Sequence, residues 1–199
     1  MRNLKLWMAA TILACGLGCV TSCNGNAGAG NTPASDSTTL AEGQDLLAVV
    51  NRYLVDSIGT LYAPGQVTIP CVTIVADNQD NPDSVLVWGD FWVYNYNVAG
   101  DTLKTVSGGS HPGLMCVRRV DGVARVVSFE QVEDGHGNEA SARSIFGDMY
   151  EAFRSLNSDP DAREQVRARS IADYVKRHAL SVKYYQDYGW PASEIPAEP

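Results

Sequence analysis

Positive charge is scarce in this chain: 15 Lys and Arg stand against 23 Asp and Glu over 199 residues, a formal net charge of −8. Phosphate binding needs a basic patch and none is visible, which excludes nucleic acid as a partner. Histidine and cysteine are few, three and five, and no set of them has zinc-ligand spacing, so neither a metal centre nor a cofactor is expected. No uninterrupted apolar run reaches the ~20 residues that a spanning helix needs. Motifs of covalent and phosphate chemistry are missing too: there is no Gly-x-Ser-x-Gly elbow and no phosphate-loop lysine after a glycine-rich segment. No catalytic residue can therefore be assigned from a motif.

A different absence marks residues 24–38, which contain no Leu, Ile, Val, Phe, Tyr or Trp. Such a segment cannot bury enough apolar surface to offset its ordering entropy, so it reads as a flexible tether with an r.m.s. span of roughly 20 Å. Ahead of it stand Arg2 and Lys5, an apolar run from Leu6 to Val20, and then Val20-Thr21-Ser22-Cys23. That arrangement resembles the lipobox of bacterial lipoproteins, where the precursor is cleaved and the new N-terminal cysteine is acylated. The Ser-Cys-Asn-Gly-Asn start is similar to that of lipoproteins of the Bacteroidota. The resemblance implies a signal peptide over 1–22, a lipidated Cys23 with its tether over 23–38, and one folded domain over 39–199. It implies a bacterial cell-envelope location, periplasmic or on the outer-membrane side, with the membrane as a partner through the anchor. No acidic cluster of the kind linked to surface export follows Cys23, which favours the periplasmic side. Cys15 is a second acceptor, but the run before Cys23 is long enough for the apolar region of a signal peptide. Acyl chains on one cysteine hold firmly, at ~0.8 kcal/mol per buried methylene.

Cleavage removes Arg2 and Lys5 and leaves 13 basic against 23 acidic side chains, so the domain itself gains nothing on anionic lipid. It also leaves Cys71 and Cys116 as an even pair in an oxidising compartment. A disulfide between them would contribute about 4 kcal/mol in the chain-entropy model. The alternative is two buried free thiols behaving as small hydrophobes.

The domain reads as α+β: an N-terminal helix, a curved antiparallel sheet of about five strands, and two C-terminal helices. Thr39-Leu40-Ala41-Glu42 has the form of a capping box, Leu46, Leu47, Val50, Leu54 and Ile58 recur at helical spacing, and Gly59 stands at a C-cap position. Strands are expected over 67–76 (with Pro70 marking an edge or bulge), 85–97, 102–106, 113–120 and 123–132, the last two joined at Asp121-Gly122. A helix over 141–155 gathers Ile145, Phe146, Met149, Tyr150 and Phe153. A second starts at Asp159-Pro160 and carries Val166, Ile171, Val175 and Leu180. The tail with Tyr184, Tyr185, Tyr188 and Trp190 is expected to pack back on the body, and the helices to lie on one face of the sheet. The order Gly108-Gly109-Ser110-His111-Pro112, strand, Asp121-Gly122, strand, Asp134-Gly135, Ile145-Phe146 resembles modules of bacterial lipoproteins and of extracytoplasmic sensor domains. Helix plus curved sheet is also similar to the cone-shaped nuclear-transport-factor-like and cystatin-like folds. The resemblance implies a secreted binding or accessory module and transfers no catalytic residue.

Alternation on the second strand separates Val85, Val87, Phe91 and Val93 from Leu86, Trp88, Asp90, Trp92, Tyr94 and Tyr96. Asp90 thus lies between two tryptophans. Aromatic platforms around a carboxylate suit a sugar or another small ligand, and an apolar setting favours the protonated acid. The competing reading is a second core layer. Trp88, Asp90, Trp92, Tyr94 and His111 are the candidate ligand site. Ser107 to Gly113 reads as a tight connection, since adjacent Ser110 and His111 point apart on a strand. Glu133, Asp134 and His136 lack calcium-loop spacing and read as a solvated loop. The alternating charges of Arg163 to Arg169 read as a solvated helix face. Three functions follow: a non-catalytic module binding a small ligand or an envelope protein, a small cone-fold enzyme with Asp90 as acid/base beside His111, or a structural role in envelope assembly.

Overall fold

The computed structural model describes residues 39–40, 44–81 and 84–197. The expected signal peptide, Cys23 and the tether lie outside the described residues, as do Ala41 and Glu42 of the expected capping box. The described residues all fall in one compact unit, Asp36–Pro199.

Thr39–Leu40 (β1) pairs with Gln44–Asp45 (β2) in a small antiparallel ladder. The first helix therefore starts later than Thr39: α1 runs Leu46–Tyr53, and the Asp45 side chain caps it by accepting the Leu47 N–H at 2.9 Å. Helical backbone continues through a π turn, Leu54–Ile58, and a 3-10 turn, Gly59–Leu61.

Four long strands follow, β3 (Val67–Asn78), β4 (Ser84–Ala99), β5 (Thr102–Val120) and β6 (Val123–Gln131). After them come α2 (Asn138–Phe146), α3 (Tyr150–Asn157), α4 (Pro160–Arg177) and two short strands, β7 (Tyr184–Gln186) and β8 (Ser193–Glu194). The sheet order is β3-β4-β5-β7-β8, with β6 also on β5, and the sheet is curled. All its pairings are antiparallel except β5 with β7. Bulges at Ile74/Ala76, Asn95/Tyr96 and Cys116/Val117 help to bend it. The β5–β6 turn has φ of 52° at Asp121 and 78° at Gly122, the two positive values of a type I′ hairpin.

One expectation fails at β5. The glycine-rich run is strand rather than connection, for Ser107 to Pro112 pair one by one with Asn95 to Asp90. Pro112 is tolerated because β6 begins pairing only at Gly113 and β7 stops at Lys104. Its carbonyl accepts the Val132 N–H at 2.9 Å. The glycines serve close approach: a side chain at Gly109 would run into the Tyr62 hydroxyl, and one at Gly113 into the Glu130 carbonyl.

Helices cover both faces of the sheet, not one. On the first face Leu46, Val50 and Leu54 pack on Val85, Val87, Phe91, Val93 and Met115. Asn95 ties the end of this helical run to the sheet through the Gly59 and Ala63 carbonyls at 3.1 Å, while accepting from the Thr68 hydroxyl at 2.6 Å. On the second face Ile171, Val166 and Val175 of α4 meet Ile69, Cys71, Trp92, Tyr94 and Tyr96. Beside them Phe146, Tyr150 and Phe153 pack on Val75, Trp88 and Leu114. The helix expected over 141–155 is broken at Gly147, whose φ of 51° and ψ of −123° turn the chain between α2 and α3. α4 begins as expected, with Asp159 Oδ1 accepting from the N–H groups of Asp161 and Ala162.

Candidate functional site

Strand alternation puts Trp88, Asp90, Trp92, Tyr94 and Tyr96 on the second face, and neighbouring elements then divide them. Trp88 is drawn under α2, donating its indole N–H to the Ile145 carbonyl at 2.9 Å. Asp90 is buried beside it in sequence but in a different environment, accepting from Trp92 Nε1 at 2.9 Å and from the Ser110 hydroxyl at 2.7 Å. Both carboxylate oxygens are thus engaged by side chains, one from its own strand and one from β5. Thr73 is its register partner on β3.

From Trp92 onward the aromatics form a ladder. Trp92 and Tyr94 stack at 5.5 Å and 12°, and Tyr94 meets Tyr96 at 6.0 Å. The arginines of α4 lie over them: Arg163 is 5.1 Å from the Trp92 ring centre and Arg167 is 4.2 Å from that of Tyr94. The match is geometric. Four helical residues advance about 6 Å and two strand residues about 6.6 Å, so an i,i+4 arginine pair can straddle an i,i+2 aromatic pair.

Between sheet and helices remains a cleft of about 60 Å³, floored by Cys71, Thr73, Asp90 and Trp92 and roofed by Leu156, Ala162, Arg163 and Val166. Arg163 is in ion-pair reach of no carboxylate among the described residues. The cleft has room for a few waters or one small group.

His111 does not belong to this site. It pairs with Phe91 on the first face, where Nε2 lies 2.8 Å from the Tyr62 hydroxyl and Nδ1 lies 2.8 Å from Gln131 Oε1. A proton on Nδ1 satisfies both contacts. Asp90 and His111 therefore stand on opposite sides of one strand pair. Burial and the Asp134 charge together raise the Tyr62 phenol above its usual range.

Cys71 and Cys116 are free thiols. Their register partners on the intervening β4 are Trp92 and Leu86, which puts them about 20 Å apart along the strands and two strand spacings apart across them, beyond disulfide reach. Burial pushes the Cys71 thiol up to about 12, against the smaller opposing pull of a Ser170 hydrogen bond and the Arg167 charge.

Arg167 was hidden in an alternating-charge stretch that reads as solvated, yet it is buried. Its Nε donates to Tyr96 at 3.0 Å, Nη2 to Thr105 at 2.9 Å, and both terminal nitrogens to Asp187 at 2.7 and 2.8 Å. A signal existed: Arg167 is four residues before Ile171 and so shares its apolar stripe. Burial opposes its charge, but Asp187, Tyr96 and Tyr94 hold it firmly protonated. The aromatic tail divides as well. Tyr184 and Tyr185 enter β7, whereas Tyr188 and Trp190 stand out in solvent rather than packing back.

Glu133 and Asp134 lead into an exposed 3-10 turn, Gly135–Gly137, that carries His136. Among the described residues no group of three or more His, Cys, Asp and Glu is placed to hold a metal ion, and no helix is long and apolar enough to cross a membrane. Compared with protein-family models, curated proteins and solved structures, the chain matches none.

Proposed function

We propose that this protein is a lipoprotein of a bacterial envelope, anchored through Cys23, whose domain binds a small molecule without transforming it. The anchor rests on the likeness of Val20 to Cys23 to a lipobox. The binding reading rests on one observation: the cleft over Asp90 is built from side chains held by hydrogen bonds and stacking, yet keeps free space beside the Thr73 hydroxyl and the Arg163 guanidinium. Such pre-organisation lowers the ordering cost of a ligand. The enzymatic reading, with Asp90 as acid/base, would be favoured by His111 within hydrogen-bond reach; the two lie on opposite faces, which leaves Asp90 without that partner. A second reading, a structural role in envelope assembly, is favoured by how far α2, α3 and α4 fill this face.

Thermal unfolding against sugars, small metabolites and divalent ions tests the binding reading. A ligand at a hundred times its dissociation constant adds about 2.7 kcal/mol and raises the midpoint by roughly 5–10 °C. The shift should vanish in Trp92→Ala. A flat panel would transfer the function to assembly. Palmitate incorporation, present in the wild type and abolished in Cys23→Ser, tests the anchor separately.

A further inference from the structure

A second cleft, of about 320 Å³, opens beside the β7–β8 connection, between Trp190 and the carboxylates of Glu164 and Asp187, with Ser193 at its side. Trp190 is 71% exposed and Tyr188, two residues before it, 98%, yet the backbone of the segment that carries them is fixed. The Trp190 N–H donates to the Asp187 carbonyl at 3.1 Å, the Trp190 carbonyl accepts from Gln186 Nε2 at 2.7 Å, and Gly189 turns the chain with φ of 80°. Asp187 itself is clamped by the buried Arg167. Two neighbouring exposed aromatic side chains on a fixed backbone, one of them lining a cleft, suit a contact with a ligand.

The polar groups say what kind. Both Asp187 oxygens already face Arg167, and Glu164 holds the Tyr185 hydroxyl through Oε1 at 2.6 Å while its Oε2 lies 3.7 Å from Arg167. One guanidinium faces the two carboxylates, so a single negative charge remains in the cleft, with Arg167 already holding part of each acid. What charge remains is negative and repels anions. Each carboxylate oxygen still has a spare lone pair for a hydroxyl donor. We infer that this cleft is a carbohydrate site: one pyranose ring of a neutral saccharide lays its C–H face on Trp190 and donates hydroxyls to Glu164 and Asp187. This site is separate from the cleft over Asp90 and stands or falls independently of it.

The test titrates the full chain in detergent micelles with a panel of neutral hexasaccharides (gluco-, manno-, xylo- and chito-oligomers), read by calorimetry. At least one should bind, with affinity at least tenfold lower in Trp190→Ala, largely kept in Trp190→Phe, and insensitive to salt between 50 and 500 mM. Trp190 is exposed, so an unchanged unfolding midpoint verifies that Trp190→Ala is folded. Three results would overturn the inference: no binding across the panel, binding indifferent to Trp190→Ala, or a Trp190-dependent preference for another class. For the last, poly-lysine and phosphatidylcholine vesicles are offered to the chain carrying Cys23→Ser.

Discussion

Arg167 shows how one residue can govern a domain. Only 4% exposed, it meets three hydroxyl or carboxylate partners and three tyrosine rings. It thereby joins β4, β5, α4 and the segment after β7. Its counter-ion, Asp187, is 44% exposed at the side chain, so the pair is half-immersed. The Arg167 hydrogen bond, stronger than the opposing effect of burial, holds the Asp187 carboxyl below the usual carboxylate range. A depressed carboxylate contributes stability that is present above its unfolded value, about pH 4, and is lost as pH falls through its lower folded value. Asp187→Asn should therefore cost about 2 kcal/mol at pH 7, less than for a fully buried pair because water reaches Asp187. Its stability curve should converge on the wild-type curve over the acid range below about pH 4. Parallel curves in urea unfolding over that range would contradict the assignment.

Elements differ in how openly the sequence declares them. The Asp121-Gly122 hairpin, the alternation of β4 and the Asp159-Pro160 start of α4 are local signals, written in a few neighbouring residues, and each is where the pattern places it. The run Gly108 to Pro112 is the opposite case: its composition has low strand propensity, and only pairing with β4 and the nearness of Tyr62 make it strand. The division of the aromatic face was equally hidden, because Trp88 and Trp92 share a pattern but are claimed by different helices. Asp90 was legible as a carboxylate among aromatics; its engagement by Ser110 across strands was not. The α2–α3 break offers a test at this scale. Gly147 adopts φ of 51° with ψ of −123°, and a side chain there would meet open space. Gly147→Ala should thus cost about 1–3 kcal/mol from backbone strain alone, seen as a lower midpoint with the native circular dichroism retained. A neutral effect would mean that the helices can join.

At the scale of the whole molecule, a sheet clothed on both sides concentrates ionisable groups in one place. The second core holds Cys71, Tyr94, Tyr96 and Tyr185, each an acid whose pKa burial pushes up before neighbouring charges and hydrogen bonds adjust it. Cys71 is pushed from 9.0 to about 12 and Tyr185 from 10.0 to about 12, with Tyr94 and Tyr96 raised further. A raised folded pKa means stability that is complete below the unfolded value and is lost as pH climbs towards the folded one, since only the unfolded chain readily gives up the proton. Each such group removes up to about 1.4 kcal/mol per pH unit once its unfolded value is passed. The domain should consequently hold its stability to about pH 9 and then lose it with increasing slope, the thiol contributing first and the phenols above about pH 10. Urea unfolding at pH 8, 9, 10 and 11 measures this directly, and Cys71→Ala should flatten the step between 9 and 10 while leaving the phenol-driven fall. Stability that stayed level from pH 8 to 11 would mean that water reaches these groups and that the second face is not the closed core described here.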